Sequence, residues 1–262
     1  MISGCSVKRV NKFSDQIFDS AHDLKLDVYT PRKSETPKKI LVFIHGGNWV
    51  QGKKSLYRFF GNGIARKNIA CVVISYRLSP KTDIVGMADD VAMAVKWIKE
   101  NALNFNGDTN NIFISGHSAG GHLAAMVALD DHYFEKLKMK NPIKGAVLID
   151  AFGLDMYNYL RHSNNKRDTI YRRVFTDDSV NWKKYSPVYH LAKNKPKFIQ
   201  FVGGKTNEII KEMNAAFYDE LQKYQPDAHL IIVKGKRHVP MIFQFYNPWV
   251  KSYEDILNFI KP

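Results

Sequence analysis

The sequence has little cysteine and no long apolar segment. Its two cysteines, Cys5 and Cys71, are too few for a framework of disulfide bonds. No run approaches the about 20 apolar residues of a membrane-spanning helix, so no transmembrane segment is predicted. Cys71 lies within the apolar run IACVVIS, where a reduced thiol in the protein core is expected.

Acidic residues are also scarce relative to basic ones. The chain has 39 Lys and Arg against 25 Asp and Glu, which gives a formal net charge of +14. Such an excess can indicate nucleic-acid or membrane-surface binding. However, no zinc-finger spacing, aromatic RNA-binding motif or basic amphipathic helix accompanies the scattered charges. We therefore expect no nucleic-acid partner, and a solvated basic surface that favours anionic substrates or surfaces.

The N-terminal sequence ISGC, residues 2–5, is similar to the cleavage box of bacterial lipoproteins, in which the cysteine carries a lipid. Only Met1 precedes it here, so the charged and apolar regions of a signal peptide are missing. The expected location is therefore cytoplasmic. The alternative is an exported lipoprotein whose anchor is Cys5.

Six short apolar runs alternate with helical patterns along the chain. Continuous runs of this kind are typical of strands buried on both faces, so the alternation predicts a mostly parallel central sheet flanked by helices. The clearest helical patterns cover residues 87–103 and 209–224. The six runs are residues 40–44, 69–75, 111–115, 145–149, 197–202 and 229–233.

Residues 155–191 interrupt this alternation with a polar, aromatic and poorly periodic segment. Because it is too long for a simple turn, we predict a small helical cap over the C-terminal edge of the sheet, where open α/β sheets bind ligands. The chain is thus predicted to be one domain, residues 1–262, with a cap-like excursion. The aromatic residues expected to wall a pocket there are Tyr157, Tyr159, Tyr171, Phe175 and Trp182.

The sequence GHSAG, residues 116–120, fits the G-x-S-x-G pattern between a strand-like run and a helical pattern. A hydroxyl nucleophile on such a turn needs small flanking residues, since the backbone bends sharply. Ser118 is therefore the candidate nucleophile.

The sequence HGGNW follows the first apolar run, and its glycines leave backbone N–H groups free for an oxyanion. Gly46, Gly47 and Ala119 are the candidate oxyanion hole.

Taken in order, these motifs resemble α/β-hydrolases of the HGG carboxylesterase branch related to hormone-sensitive lipase. Within that branch the chain is similar to small acetyl-xylan/feruloyl-esterase-like and kynurenine-formamidase-like enzymes. The resemblance implies an α/β-hydrolase fold and serine hydrolysis without a cofactor or metal. It is carried by LDVYTP, HGGNWVQGKKS, YRLSP, DDVAMAVKWI, GHSAGGHLAA, FGLD, YSPVYHL and the histidine of GKRHVP.

His238 is the candidate base, because it follows the last strand-like run in the chain order Ser–acid–His. The acid is expected on the loop GGKTNEII after the fifth run, where the family pattern places Asn207 or Thr206 instead of an aspartate. An amide orients a histidine without supplying charge. Glu208, one residue further, is therefore the predicted acid. Asp155 and Asp150, after the fourth run, are the alternatives together with Asn207.

The favoured hypothesis is a serine hydrolase that cleaves short-chain or aromatic acyl esters of small molecules through an acyl-enzyme on Ser118. Trp49, Tyr76 and His117 are expected to contribute to the substrate pocket. Two alternatives stay open: an arylformamidase with the same triad, and a non-catalytic binding protein with a hydrolase fold. The sequence does not indicate the oligomeric state.

Overall fold

The computed structural model describes residues 9–32, 36–162 and 168–261 and contains one eight-stranded sheet. Its strand order is β1-β2-β4-β3-β5-β6-β7-β8. β1 pairs antiparallel with β2, β2 pairs antiparallel with β4, and every other neighbouring pair is parallel. The strands are β1 (Val10–Asp19), β2 (Leu24–Pro31), β3 (Lys38–Ile44), β4 (Ala70–Ile74), β5 (Gly107–His117), β6 (Ile143–Ile149), β7 (Lys197–Gly203) and β8 (His229–Val233).

All six predicted strands are present as β3 to β8, within a few residues of their expected bounds. They form the parallel part of the sheet, in which β3 to β7 are largely buried and β8 is a partly exposed edge strand. β1 and β2 were not predicted. Most residues of β1 are exposed at the edge of the sheet, so this strand lacks a continuous apolar run.

Ten α-helices and four short 3₁₀ helices are present in the described ranges. The two predicted helices are α2 and α8, and the Asp83 carboxylate caps α2 by accepting from the backbone N–H groups of Val85 and Gly86. The α-helices are α1 (Arg58–Arg66), α2 (Ile84–Asn101), α3 (Ala119–Leu129), α4 (His132–Glu135), α5 (Met156–His162), α6 (Asp168–Phe175), α7 (Ser179–Lys184), α8 (Glu208–Gln222), α9 (His238–Phe243) and α10 (Lys251–Ile260). The 3₁₀ helices are Lys54–Tyr57, Ala102–Phe105, Pro187–His190 and Gln244–Tyr246.

The segment between β6 and β7 is helical and contains α5, α6, α7 and the 3₁₀ helix Pro187–His190. Val174, Phe175 and Trp182 anchor it, since their side chains are buried in the larger of two apolar clusters. The segment is thus attached to the domain by burial of its own apolar face.

Two apolar clusters of buried side chains flank the sheet. Strand residues alternate between them: Val42 and Ile44 belong to one, and Leu41 and Phe43 to the other.

Cys71 is a buried free thiol, and burial raises its pKa. Cys5 lies outside the described residues. In the described ranges, no helix has the length and apolar character needed to cross a bilayer.

Candidate active site

Ser118 lies on the sharp turn between β5 and α3. Its backbone has φ 55° and ψ −123°, a conformation that non-glycine residues seldom adopt. A Cβ at Gly116 would lie 2.1 Å from the carbonyl oxygen of Gly120, and a Cβ at Gly120 would lie 2.2 Å from that of Ile44. Only glycine therefore fits at both ends of the turn, which explains the GHSAG sequence and lifts the Ser118 side chain toward the cleft.

His238 begins α9, shortly after β8, and its ring reaches Ser118. The Nε2 atom lies 2.9 Å from Ser118 Oγ, and Nδ1 lies 3.0 Å from Oδ2 of Asp150. Hydroxyl, imidazole and carboxylate thus form one continuous hydrogen-bonded chain. In this arrangement the imidazole can accept the serine proton while the carboxylate holds the ring.

Asp150 directly follows β6 and has a left-handed φ of 46°, which aspartate tolerates better than most residues. Its carboxylate is fully buried. The Gly203 N–H donates to Oδ1 at 2.7 Å, and the Thr206 hydroxyl donates to Oδ2 at 2.5 Å. With His238 as the third donor, the buried charge has three hydrogen-bond partners, which offset much of the cost of its desolvation.

The prediction that Glu208 is the acid is wrong in geometric terms. Glu208 is the first residue of α8, and its side chain is 72% exposed and paired with Lys211. Asp155, an alternative, accepts a hydrogen bond from the N–H of Asn158 within α5. Asn207 precedes α8 and faces the cavity. The carboxylate next to the histidine is Asp150, the alternative after β6.

Four consecutive strands of the sheet contribute to this site. β5 ends before Ser118, β6 before Asp150, β7 shortly before Thr206, and β8 shortly before His238. Because these strands are parallel, their carboxyl ends meet at one edge of the sheet. The fold alone therefore brings together residues that are up to 120 positions apart in the chain.

Two of the three predicted oxyanion residues line the same cavity, and the third directly follows Ser118. Gly46 and Gly47 follow β3 and line the cavity next to Ser118. Gly47 has φ 128°, and a Cβ there would lie 1.9 Å from the Gln51 carbonyl oxygen, so only glycine permits this loop. Ala119 is the first residue of α3, where a helix has no internal acceptor for its N–H groups.

Tyr57 brings a hydroxyl to the glycine loop and was not predicted. Burial raises the pKa of this phenol, while a hydrogen bond from the Gly46 N–H acts in the opposite direction. Tyr57 lines the cavity, so its hydroxyl and the Gly46 N–H meet beside Ser118. No motif marks this residue, because only the folded loop brings it to the cavity.

Two buried histidines support the site as neutral side chains. His117 lines the cavity, and its Nε2 donates to the backbone carbonyl of His238 at 3.0 Å. Burial and repulsion by His238 lower the pKa of His117 to about 3. Burial likewise lowers the pKa of His45 to about 4, and its Nδ1 donates to the Gly46 carbonyl at 2.9 Å. Both rings are therefore uncharged at neutral pH.

The cavity above Ser118 has a volume of about 670 Å³ and a largely apolar wall. Tyr159 and Tyr171 of the helical segment line it, as the sequence predicted, together with Phe152. The prediction was wrong for Tyr157, Phe175 and Trp182, which are not among the described lining residues. The other apolar wall residues were not predicted, since they become neighbours only when α8, α9 and the 3₁₀ helix before α1 pack together. These residues are Leu56, Ile209, Ile210, Val239, Ile242 and Phe243.

Trp49 and Tyr76 lie behind the cavity wall, contrary to the prediction that they form part of it. Trp49 is fully buried and packs edge-on against His122 and Phe175. Tyr76 donates its hydroxyl to the His45 carbonyl at 3.0 Å and stacks on that ring. Neither Trp49 nor Tyr76 is among the described residues that line the cavity. Tyr76 instead supports the start of the glycine loop through its contacts with His45, and Trp49 packs in the apolar core.

Comparisons with known proteins agree with this architecture. Residues 26–221, three quarters of the chain, match the BD-FAE family model. An isoprenylcysteine alpha-carbonyl methylesterase of Arabidopsis thaliana is 28% identical over 236 residues, which cover 84% of this chain and 55% of that protein. A kynurenine formamidase of Danio rerio is 31% identical over 137 residues, which cover 52% of this chain and 45% of that protein. The chain therefore spans about half the length of these relatives.

Solved structures show the fold. A truncated carbohydrate esterase from gut microbiota superimposes with a TM-score of 0.84, covers 97% of this chain and 96% of its own, and is 19% identical. At that identity the likeness concerns the fold and not the substrate. The eight-stranded sheet, the strand-end position of Ser118 and the match over residues 26–221 agree: the chain has the α/β-hydrolase fold and belongs to the BD-FAE family.

Proposed function

We propose that this protein is a serine hydrolase that cleaves carboxylic esters through an acyl-enzyme on Ser118. The observation that carries the proposal is the hydrogen-bonded chain from Ser118 through His238 to the buried Asp150, with distances of 2.9 and 3.0 Å. A serine hydroxyl is a weak nucleophile at neutral pH, and an adjacent base oriented by a carboxylate activates it.

In the acylation step, Ser118 Oγ attacks the ester carbonyl as its proton passes to His238 Nε2. Asp150 stabilises the imidazolium that forms, and its own position is held by Gly203 and Thr206. In this proposal the N–H groups of Gly47 and Ala119, with Gly46 or Tyr57, stabilise the carbonyl oxygen as it becomes negative. His238 then returns the proton to the leaving alkoxide, which leaves the acyl group on Ser118.

In the second step, His238 takes a proton from water, and the resulting hydroxide attacks the acyl-enzyme. Collapse of the tetrahedral intermediate releases the acid and returns the proton to Ser118. The neutral state of His117 favours this cycle, because a second positive charge beside the imidazolium would oppose proton transfer to His238.

The cavity supports short-chain or aromatic acyl esters as the substrate class. A volume of about 670 Å³ is in the range of small-molecule sites, and the wall formed by Phe152, Tyr159 and Tyr171 is aromatic. Aromatic side chains favour planar or short apolar groups through edge and face contacts. Esters are also the substrates named for the Arabidopsis relative and for the structural neighbour.

Arylformamidase activity is the second candidate, and the match to the kynurenine formamidase of Danio rerio favours it. The same triad would attack a formamide, with an arylamine as the leaving group. A direct comparison of kcat/KM for N-formylkynurenine and for p-nitrophenyl acetate separates the two activities. Efficient cleavage of the formamide with poor cleavage of the ester would replace the first proposal.

The decisive experiment combines a fluorophosphonate probe with a panel of p-nitrophenyl esters of increasing acyl length. We expect the probe to label wild type at one site, Ser118, and we expect Ser118→Ala to lose both labelling and turnover. The control is Ser115→Ala, which removes a buried hydroxyl from β5 three residues before the nucleophile. If folded wild type reacts neither with the probe nor with any ester, the non-catalytic reading is correct.

A further inference from the structure

A solvent-exposed apolar surface lies beside the cavity and has no role in the proposed chemistry. It is formed by the 3₁₀ helix before α1, by the first turn of α1, by α9 and by the segment that follows α9. We call it the aromatic platform, and its members are Leu56, Phe59, Val239, Phe243, Tyr246 and Trp249. At least half of the side-chain surface is exposed for five of them: Leu56 56%, Val239 51%, Phe243 50%, Tyr246 66% and Trp249 79%.

The rings of the aromatic platform form an ordered group. Phe59 stacks on Tyr246 with centroids 3.9 Å apart, and Phe243 lies about equally far, at 6.0 Å, from both. Trp249 follows three residues after Tyr246, with the Lys67 ammonium 5.7 Å from its ring. Clustered exposed rings on one surface usually indicate a binding site, whereas single exposed apolar residues are common on any protein.

The aromatic platform is continuous with the mouth of the cavity. Leu56, Val239 and Phe243 belong to both, since they line the cavity and are also exposed to solvent. An apolar phase in contact with the platform would therefore also be in contact with the entrance to Ser118.

The two chain segments that carry the aromatic platform are basic. Residues 51–68 contain five Lys or Arg and residues 234–251 contain four, and neither segment contains Asp or Glu. One of the nine, Lys54, is engaged by Asp15 and Asp27. Arg58, Arg237 and Lys251 are exposed. The nearest acid in sequence is Glu254 in the first turn of α10.

From this composition we propose that the aromatic platform docks on the surface of a membrane that contains anionic lipids. Tryptophan, tyrosine and phenylalanine side chains place apolar rings at the boundary between head groups and acyl chains. Lysine and arginine around them are attracted to negatively charged head groups, each contributing about a fivefold gain in binding. The mouth of the cavity then faces the lipid. This proposal concerns binding alone and does not rest on the proposed ester hydrolysis.

Cosedimentation with phospholipid vesicles tests the proposal. We expect wild type to bind vesicles of phosphatidylcholine with about 30% phosphatidylglycerol at least tenfold more strongly than pure phosphatidylcholine. We also expect the binding to weaken when NaCl is raised from about 0.1 M to about 0.5 M. Tyr246→Ser with Trp249→Ser should lower the partition coefficient about tenfold. Lys67→Gln with Lys251→Gln should lower it about twentyfold.

Two matched variants control for nonspecific effects. Leu103→Ser removes an apolar side chain that is 81% exposed in the 3₁₀ helix before β5, and Lys144→Gln removes an exposed charge from β6. Both should bind vesicles like wild type. Circular dichroism and turnover of a water-soluble ester show that each variant is folded, because none of the six substituted residues lines the cavity.

Trp249 provides a direct readout. The other tryptophans are Trp49 and Trp182, which are buried, and Trp97, which is partly buried. Brominated lipids should therefore quench wild-type emission, and Trp249→Phe should lose most of that quenching. The proposal is overturned if wild type does not bind anionic vesicles more strongly than pure phosphatidylcholine vesicles, or if the control variants lose as much binding as the platform variants. It is also overturned if lipid-free wild type forms a dimer that Trp249→Ser abolishes, since a second copy would then be the occupant.

Discussion

The loops after β6 and β7 lie side by side at the same edge of the sheet, yet they make different contributions to the site. The first residue after β6 is Asp150, fully buried and in contact with His238. The end of β7 provides the Gly203 N–H and the loop after it provides the Thr206 hydroxyl, both directed at Asp150. Its own carboxylate, on Glu208, is in solvent.

In this site the negative charge and the groups that hold it are divided between neighbouring strands. His238 needs one negative group near Nδ1, and the geometry admits that group from either loop because the two loops meet there. In this chain β6 supplies the carboxylate and β7 supplies the hydrogen-bond donors. A motif search confined to the β7 loop finds only residues that do not contact the histidine.

Replacement of the carboxylate itself should have the largest effect. Asp150→Asn keeps the size of the side chain but removes the charge that stabilises the imidazolium, so kcat should fall about 10³- to 10⁴-fold. Glu208→Gln serves as the matched control and should stay within about twofold of wild type. Steady-state kinetics with p-nitrophenyl acetate measure both. A larger loss in Glu208→Gln would show that the β7 loop provides the acid.

A transfer of the carboxylate to the other loop should recover part of this loss. Since Thr206 Oγ1 lies 2.5 Å from Asp150 Oδ2, an aspartate at position 206 can reach the vicinity of His238 Nδ1. Thr206→Asp in the Asp150→Asn background should raise kcat about 10- to 100-fold above the single variant. Asn207→Asp in the same background is the control and should recover little. A higher kcat for Asn207→Asp than for Thr206→Asp would contradict the expectation that position 206 can supply the carboxylate.

Removal of the supporting hydroxyl should have a smaller effect. Thr206→Val leaves one oxygen of the buried Asp150 without its hydroxyl donor, and such a bond to a charged group contributes about 1.5–3 kcal/mol. We expect kcat to fall about tenfold, with a parallel loss of stability in urea unfolding. Thr206→Ser retains the hydroxyl and should behave nearly like wild type. If Thr206→Val and Thr206→Ser have the same kcat and the same stability, the hydroxyl does not support the carboxylate.

The end of β5 contributes a neutral group, and its effect should appear in the pH dependence of stability. The pKa of His117 is about 3 in the folded protein and about 6.5 when unfolded, so the unfolded chain binds the additional proton between these values. The contribution of His117 to stability is complete above pH 6.5 and is lost as the pH falls toward 3. Near pH 5 this residue alone should lower the free energy of unfolding by about 1.4 kcal/mol for each unit by which the pH falls.

Urea unfolding between pH 7 and pH 4 measures this dependence in wild type and in His117→Asn, which retains an N–H donor. The free energy of unfolding should depend less steeply on pH in the variant, by the slope that corresponds to about one proton taken up on unfolding. Equal slopes would mean that His117 is not held neutral by burial, and that the ends of β5 and β6 differ less in charge than the structure indicates.

The sequence predicted the parts of the site that depend on local backbone constraints. Ser118 and the HGG loop are recognisable because a sharp turn and a close approach of backbones require glycine at particular positions. His238 follows from chain order. The strands β3 to β7 were predicted because burial on both faces leaves a continuous apolar run. The edge strand β8 was predicted because its sequence HLIIV is apolar, although the strand is partly exposed.

The other features depend on contacts between distant segments. Nothing within the sequence around Asp150 distinguishes it from Asp155 five residues later, and only the meeting of β6, β7 and α9 shows that one of them is next to the histidine. Tyr57 likewise reaches the cavity only when its helix packs beside the glycine loop, and the aromatic platform arises from the packing of residues 51–68 on residues 234–251. The edge strand β1 was missed because its exposed residues carry no periodic apolar signal.

The φ of 55° at Ser118 has a consequence for evolution and for engineering. The strain belongs to the backbone of the turn, so it persists when the hydroxyl is removed and it is relieved only by glycine. Ser118→Gly should therefore exceed wild type in thermodynamic stability by about 1 kcal/mol while losing activity entirely. Selection that keeps serine at this position acts against the more stable protein. A lineage released from catalysis would accordingly be expected to drift to glycine there.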